Sequence, residues 1–160
     1  MKLNFLYIIL GKGETKYQNY FKKIQQRHPD KICVLLRFDN DFAHRMEAGC
    51  DMFLMPSRYE PCGLNQLYSL RYGTIPIVRA TGGLADTVVD FPTNSKSGTG
   101  FTFKNYNPED MYKTIKNAIQ TFGNKKKWLR ITGNAMQQNF SWLSSACEYK
   151  KLYTKIVNSK

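Results

Sequence analysis

A short polar turn, Ser57-Arg58-Tyr59-Glu60-Pro61, places an arginine and a glutamate directly after the apolar run 52–55. A turn with two charged side chains just before a helix start has little reason to exist for packing alone. Because a carboxylate repels phosphate, Glu60 is better suited to contact sugar hydroxyls or a developing oxocarbenium ion. The turn therefore indicates a ligand site.

The residues that follow this turn could bind an anion. Cys62-Gly63-Leu64 opens a predicted helix that runs to about residue 72. The first N–H groups of a helix lack intrahelical partners, so those of Gly63, Leu64 and Asn65, together with the helix dipole, suit a phosphate or pyrophosphate. Thr81-Gly82-Gly83, which follows the next apolar run, would let a second backbone segment approach the same ligand closely.

A sheet must position these turns. Apolar runs predict four strands that alternate with helices, at residues 3–10, 32–36, 52–55 and 75–78, and a further short strand at 101–103. Such alternation predicts an α/β fold, a Rossmann-like doubly wound parallel sheet whose first strand is buried on both faces. Parallel strands end at one edge, where open α/β sheets bind ligands. We therefore expect Gly11–Gly13, Phe38, Arg58–Leu64 and Thr81–Gly83 to meet at that edge.

Helix signals and a loop account for much of the remaining sequence. Asp39 or Asn40 can cap the helix after the second strand, and Asn107 can cap a helix that Gly123 ends. Residues 91–100 have the composition of a loop. Ser141 can cap a final helix, about 142–158, whose apolar residues recur at helical spacing.

The two earlier strand exits offer less specific candidates. Gly11-Lys12-Gly13 fits neither the Rossmann glycine pattern nor the P-loop, so it is either a tight strand-to-helix turn or a loop that lines the ligand site. Phe38 follows the second strand, where it could fill the core or stack on a nucleobase. His44 is by default a core or surface imidazole, with a role in the site as the alternative.

Composition restricts the function classes. The 160 residues suit one domain, with a net charge of +12 that is +4 over residues 1–87 and +8 over residues 88–160. That charge suits an anionic ligand such as a sugar nucleotide, and no helix-turn-helix, RNP or zinc-finger pattern supports nucleic acid as a partner. The four cysteines have no CxxC pairing and no metal spacing, which favours reducing, cytoplasmic conditions. No apolar run is long enough to span a membrane. With no acidic pair at metal spacing, we expect neither a metal nor a cofactor.

One long ungapped block of the sequence resembles a known enzyme family. The block contains Glu60-Pro61-Cys62-Gly63-Leu64-Asn65-Gln66-Leu67, preceded by Pro56-Ser57-Arg58 and followed by Thr81-Gly82-Gly83-Leu84-Ala85-Asp86-Thr87. It resembles bacterial glycogen synthase and plant starch synthase, and a looser similarity extends from the first strand to the last helix. The resemblance covers only the carboxyl-terminal half of such an enzyme.

The resemblance implies a fold and an activity. Glycogen and starch synthases are retaining glycosyltransferases of the GT-B fold, in which two Rossmann-like domains face each other across a cleft. They transfer glucose from ADP-glucose or UDP-glucose to the non-reducing end of an α-1,4-glucan. The chain would then be the carboxyl-terminal, donor-nucleotide-binding domain, residues 1–160, and its last helix, about 142–158, is expected to pack toward the amino-terminal domain. The location would be the cytoplasm, or the plastid in a plant or alga.

The resemblance also assigns roles by matched position. Glu60 would be the catalytic residue, binding the donor glucose and stabilising positive charge at its anomeric carbon. Cys62, Gly63, Leu64 and Asn65 would hold sugar hydroxyls and diphosphate through backbone groups, and Phe38 would stack on the base. The full donor-binding set is Phe38, Arg58, Cys62, Gly63, Leu64, Asn65, Thr81, Gly82 and Gly83, with Gly11, Gly13, His44 and Tyr68 as further candidates.

Two departures from the family pattern limit this assignment. Related two-domain transferases have a second glutamate eight residues after the first, and Tyr68 stands at that position, a change that glycogen and starch synthases share. The Arg/Lys pair that clamps the diphosphate, and the acceptor domain that binds the glucan, would lie upstream of the first strand. We therefore expect this chain to bind the donor weakly and to transfer glucose negligibly. The alternatives are a non-catalytic nucleotide- or glucan-binding module and a basic nucleic-acid binder.

Overall fold

The computed structural model describes residues 3–92 and 96–159, which fall into two compact units, residues 1–49 and 50–160. The first unit consists of β1 (Tyr7–Leu10), α1 (Thr15–Arg27), β2 (Ile32–Leu35) and α2 (Asn40–Gly49). The second consists of β3 (Met52–Met55), α3 (Asn65–Tyr72), β4 (Ile75–Arg79), α4 (Gly83–Thr87), β5 (Phe101–Phe103), α5 (Pro108–Phe122), α6 (Lys125–Met136) and α7 (Trp142–Asn158). Positions 93–95 of the predicted loop lie outside the described residues.

In the first unit, β1 and β2 pair in parallel, with Tyr7 opposite Ile32 and Leu10 opposite Leu35. Two details of the prediction are wrong. β1 begins at Tyr7 rather than Leu3, and it is not buried on both faces, because Ile8 is 39 % exposed. Among the described residues, only β2 pairs with β1, so the apolar run alone overestimated how much of this strand a sheet would cover.

The predicted cap of the second helix is confirmed. The backbone N–H of Phe42 donates to Asp39 Oδ1 at 3.0 Å, which satisfies one of the N–H groups left without a partner at the start of α2. Asp39 therefore marks the end of the loop that follows β2 and carries Phe38, and α2 begins at the next residue.

In the second unit, three parallel strands pair in the order β3-β4-β5, with Met52 opposite Ile75 and Ile77 opposite Phe101. The central strand is buried on both faces because its side chains alternate between two apolar clusters. Ile75 and Ile77 pack with Leu70 of α3, Phe101 of β5 and residues of α5 and α6, whereas Val78 packs with Leu84 and Val88. Helices α3, α5 and α6 therefore cover one face of the three-stranded sheet, and α4 with the segment after it covers the other.

The α/β class with parallel strands is confirmed, and the element order follows the prediction closely. The strands divide into one two-stranded and one three-stranded sheet, a division that periodicity could not indicate. The cap at Asn107 is confirmed, since its side chain accepts a hydrogen bond from the Asp110 N–H at 2.8 Å. The five-residue helix α4 was not predicted.

The last helix, α7, lies almost wholly in solvent. Ser141 caps it as predicted, accepting from the Ser144 N–H, but none of its residues is buried. Its large apolar side chains are exposed, from 91 % at Trp142 to 51 % at Leu152. Across the described residues, no helix is long and apolar enough to cross a membrane.

Candidate functional site

The turn that carries Glu60 follows β3 and is fixed by an arginine from β4. Arg79, the last residue of β4, donates from Nη1 to the Arg58 carbonyl at 2.5 Å and from Nε to the Lys104 carbonyl at 3.2 Å. Its guanidinium carbon also lies 5.5 Å from the ring centroid of Tyr106, an additional cation–π contact. One planar cation thus connects the exits of three neighbouring strands.

Two of the predicted turns meet in the second unit. The Gly83 N–H donates to the Glu60 carbonyl at 2.9 Å, so the backbone after β4 contacts the backbone after β3 directly. A Cβ added at Gly82 would lie 2.1 Å from the Glu60 carbonyl oxygen, and Gly82 has φ +47°, a conformation that favours glycine. A Cβ at Gly83 would lie 2.1 Å from the Cys62 carbonyl oxygen. Both glycines are therefore required for this contact between turns.

A buried glutamine forms hydrogen bonds with the residues that follow the same turn. Gln66, which is completely buried, donates from Nε2 to the Cys62 carbonyl at 2.9 Å and to the Gly63 carbonyl at 3.0 Å. The Thr87 hydroxyl lies 3.3 Å from the same nitrogen and donates to the Gly83 carbonyl at 2.6 Å. Gln66 therefore connects the turn after β3 to α4.

The helix after the turn begins three residues later than predicted. α3 begins at Asn65, and the Leu64 carbonyl accepts from the N–H groups of Leu67 and Tyr68 at 2.9 and 3.0 Å. Gly63 has φ +75°, which is incompatible with an α-helix and explains the later start. Residues 62–64 thus form a bend before the helix, and the N–H groups of Gly63 and Leu64 belong to that bend.

The side chains around the bend differ in exposure and pairing. Glu60 is half-buried, and within the described chain its carboxylate has no salt-bridge or hydrogen-bond partner. Arg58 and Asn65 are exposed, Leu64 is 55 % exposed, and Tyr68 is 38 % exposed. The exposed Cys62 has its Sγ 3.7 Å from the Gly63 carbonyl oxygen. A half-buried carboxylate that has no hydrogen-bond or salt-bridge partner among the described residues therefore lies close in sequence to the backbone N–H groups of the bend.

Thr81 begins the turn after β4; it is half-buried, and its carbonyl accepts from the Leu84 N–H at 3.1 Å. The other candidates belong to the first unit. Gly11 donates its N–H to the Leu35 carbonyl at 3.1 Å, and the Gly13 carbonyl accepts from Gln18 Nε2 at 2.6 Å. Phe38 is 89 % exposed, so the alternative in which it fills the core is wrong. Its ring therefore lies on the surface of the first unit, after the end of β2.

His44 has a buried carboxylate beside it. Its Nδ1 lies 3.2 Å from Oε2 of Glu47, which is 5 % exposed. Burial raises the pKa of the Glu47 carboxyl, and the nearby His44 opposes that rise. A pairing within α2 accounts for the position of this imidazole.

Sequence reasoning missed the two residues that fix the turn, Gln66 and Arg79. Gln66 lies four residues before Leu70, a core residue of the same helix, so helical spacing could have indicated that this amide points inward. Arg79 comes directly after an apolar strand, at the same sheet edge as the turn, and an arginine there could have been expected to bind carbonyl groups.

Comparison with known proteins gave one family match, two similar relatives and one similar solved structure. The family described as "Glycosyl transferases group 1" matches residues 1–137. Glycogen synthase of Fervidobacterium nodosum is 52 % identical over 149 residues, covering 93 % of this chain and 31 % of the relative. Glycogen synthase of Koribacter versatilis is 47 % identical over 150 residues, covering 94 % and 31 %. The chain thus spans about a third of the length of these relatives.

A solved structure is similar over nearly the whole chain. The catalytic domain of starch synthase IV from Arabidopsis thaliana, bound to ADP and acarbose, superposes with a TM-score of 0.82 at 34 % sequence identity. The superposition covers 96 % of this chain and 32 % of that chain.

Proposed function

The chain belongs to the glycosyl transferases group 1 family, and from this we propose that it is the donor-binding domain of a retaining glucosyltransferase. The donor in this proposal is ADP-glucose or UDP-glucose, and the acceptor is the non-reducing end of an α-1,4-glucan. The similarity to glycogen synthases and to a starch synthase that was solved with ADP and acarbose supports this substrate class. We propose a cytoplasmic location and no resident metal or cofactor.

The observation that carries the proposal is the contact between the Glu60 turn and the Gly82–Gly83 backbone. The hydrogen bond from Gly83 N–H to the Glu60 carbonyl holds the two turns together at the carboxyl ends of β3 and β4. Ligands of open α/β sheets bind at this edge. Gly83 is buried in this contact, and beside it the half-buried Glu60 carboxylate has no hydrogen-bond or salt-bridge partner among the described residues, so it would be available to a compact polar group.

The turn can stabilise both charges that develop in glucosyl transfer. As the bond between the anomeric carbon and the diphosphate oxygen breaks, positive charge grows on the sugar and negative charge on the leaving group. Glu60 would face the sugar, while the N–H groups of Gly63, Leu64 and Asn65 would donate to the diphosphate or to sugar hydroxyls. Fixed charges and dipoles of this kind act without having to reorganise during the reaction.

Base recognition in the proposal is assigned to an exposed aromatic side chain. Phe38, with 89 % of its surface exposed, would stack on the nucleobase, an interaction for which aromatic rings contribute about 1–3 kcal/mol per base. Arg58, Thr81, Gly82 and the further candidates Gly11, Gly13, His44 and Tyr68 complete the proposed donor set.

The proposal assigns a partner to α7. Its apolar side chains are exposed along the whole helix, and the chain spans about a third of its relatives, so other parts of such an enzyme could cover it. We propose that α7, residues 142–158, packs against the amino-terminal domain of the same enzyme, which would also contribute the glucan site.

Titration with sugar nucleotides tests the proposed function. ADP-glucose and UDP-glucose are added to the chain while the amide signals of residues 38, 60–65 and 81–83 are followed by NMR, with glucose 1-phosphate as the control ligand. Shifts that saturate and are confined to these three segments support the proposal. Saturating binding of a glucan without nucleotide would favour the non-catalytic module, and the absence of any nucleotide binding would overturn the donor-domain assignment.

A further inference from the structure

Gln66 is the one completely buried polar side chain that contacts the bend after β3 in the described structure. Its Nε2 donates to two consecutive carbonyl groups, those of Cys62 and Gly63. An ideal Cβ at Gly63 would lie 2.3 Å from Gln66 Oε1, so the amide packs directly against the glycine. Both carbonyl groups of the bend therefore face the interior of the unit.

The orientation of these carbonyl groups determines where the adjacent N–H groups point. No peptide bond of the described chain is cis, and in a trans peptide the C=O and N–H bonds point in opposite directions. The Cys62 carbonyl shares its peptide with the Gly63 N–H, and the Gly63 carbonyl shares its peptide with the Leu64 N–H. Because both carbonyl groups point at Gln66, both N–H groups point away from it, toward the exposed side of the bend.

We propose that Gln66 is a positioning residue of the donor site. Its side-chain amide fixes two consecutive peptide planes, so that the Gly63 and Leu64 N–H groups face a phosphate or sugar hydroxyl of the bound nucleotide sugar. This inference rests on the proposed function for the identity of the ligand. The orientation of the two peptides, however, is a property of the chain itself and can be measured without a ligand.

A second connection explains why a glutamine is suited to this position. Thr87 lies 3.3 Å from Gln66 Nε2 and donates to the Gly83 carbonyl, so the side chain also links the bend to the segment that follows β4. Methionine would fill a similar volume but has no N–H group to donate. A carboxylate would have the right shape but would present oxygen atoms to two carbonyl oxygens.

The test compares Gln66→Met with a matched control on the same helix. Ser69 is also completely buried, and its hydroxyl donates to the Gln66 main-chain carbonyl at 2.9 Å without touching the bend. Ser69→Ala therefore removes a buried hydrogen bond of α3 and leaves the two peptides alone. For each protein, residual dipolar couplings of the Gly63 and Leu64 N–H vectors and the affinities for ADP and adenosine are measured.

In Gln66→Met we expect the two N–H vectors to reorient and the affinity for ADP to fall about tenfold, because misaligned donors lose a charge-assisted hydrogen bond to the diphosphate. Adenosine has no phosphate, so its affinity should stay the same. Ser69→Ala should keep both vectors and both affinities, even if it lowers the unfolding temperature. Unchanged vectors in Gln66→Met, or an equal loss of affinity for ADP and adenosine, would overturn the proposal.

Two further outcomes separate this inference from the proposed function. If the wild-type chain binds neither ADP nor ADP-glucose, the proposed function fails, and the dipolar couplings still decide whether Gln66 orients the bend. If Gln66→Met does not fold, titration of the wild-type chain with ADP tests whether Gln66 positions the bend. On addition of ADP its Gly63 and Leu64 amides should shift while the Gln66 side-chain amide protons stay protected from exchange. Binding of ADP that leaves these two backbone amides unshifted would refute the inference.

Discussion

Replacing Gly83 with alanine tests whether the two turns depend on backbone contact. The new Cβ would lie 2.1 Å from the Cys62 carbonyl oxygen and 2.6 Å from the Cys62 Cα, so the Cys62 carbonyl oxygen must retreat by about 1.4 Å to reach an ordinary contact distance of about 3.5 Å. Overpacking of this kind costs about 1–3 kcal/mol. The same movement strains the hydrogen bond from the Gly83 N–H to the Glu60 carbonyl, which contributes about 0.5–1.5 kcal/mol.

We therefore expect Gly83→Ala to lower the free energy of unfolding by about 2–3 kcal/mol, after allowing for the better helix propensity of alanine in α4. In a chain of this size that corresponds to a decrease of roughly 5–10 °C in Tm. Urea denaturation followed by circular dichroism measures the stability change. The amide shifts of residues 60–62 report whether the turn has moved.

Gly133→Ala is the matched control for this experiment. Gly133 lies inside α6, and apart from its chain neighbours and its own helix backbone no atom of the described residues is within 4 Å of its ideal Cβ. The change should therefore stabilise the chain by up to about 1 kcal/mol through helix propensity alone. If Gly83→Ala is as stable as the wild type and the Glu60–Cys62 amides do not shift, the contact does not position the turn, and the reasoning behind the site is wrong.

In an enzyme that contains this chain, Glu60→Ala should reduce turnover about a hundredfold or more, because a group that stabilises transition-state charge is worth about 2.7–4 kcal/mol; the circular dichroism spectrum should be unchanged, and full turnover would exclude the assigned role. Phe38→Ala should weaken ADP binding by about 1–3 kcal/mol in calorimetry and leave the unfolding temperature as it is, since the ring is 89 % exposed; equal affinity would remove the stacking assignment. Arg79→Lys keeps the charge but cannot donate to the Arg58 and Lys104 carbonyls at the same time, so hydrogen exchange of the backbone amides of residues 57–60 should accelerate. Exchange at the wild-type rate would show that Arg79 does not fix this turn. Burial raises the folded-state pKa of Glu47 above its ordinary value of 4.5, so the folded state binds this proton more tightly, and the stability that the protonated group contributes is lost as the pH rises through the folded pKa. Glu47→Gln should therefore raise the unfolding midpoint near neutral pH and make little difference below about pH 4.5. A gain in the unfolding midpoint that is the same at all pH values would contradict the buried-carboxylate explanation.

Much of the secondary structure could be predicted because its signals are local. β3 has the predicted bounds, and Asn107 and Asp39 cap their helices as expected, since a cap depends on side chains within three residues. The start of α3 was predicted three residues too early, because the sequence order of a strand, a turn and a helix does not show at which residue the helical backbone begins. Gly63 has a φ of +75° and packs against the buried Gln66 amide, and neither feature can be read from position along the chain.

The site was only partly predictable for a similar reason. Residue types and the family resemblance indicated Glu60 and the Gly82–Gly83 turn, but the expected reason for the glycines was close approach to a ligand. In the structure they are required by the backbone of Glu60 and Cys62. Arg79 and Gln66 were missed because their partners are carbonyl groups, which every residue has, and no sequence pattern marks which carbonyl a distant side chain will reach.

The solvent-exposed α7 has a consequence for handling the chain in solution. Helices gain most of their stability from tertiary packing, and an isolated helix of about 15 residues is marginal in water. With 17 residues and no buried side chain, α7 must depend largely on its own hydrogen bonds, so it should fray and be cut by proteases before the rest of the second unit. The helix content of α7, followed by circular dichroism, would then report whether a partner domain has packed against it.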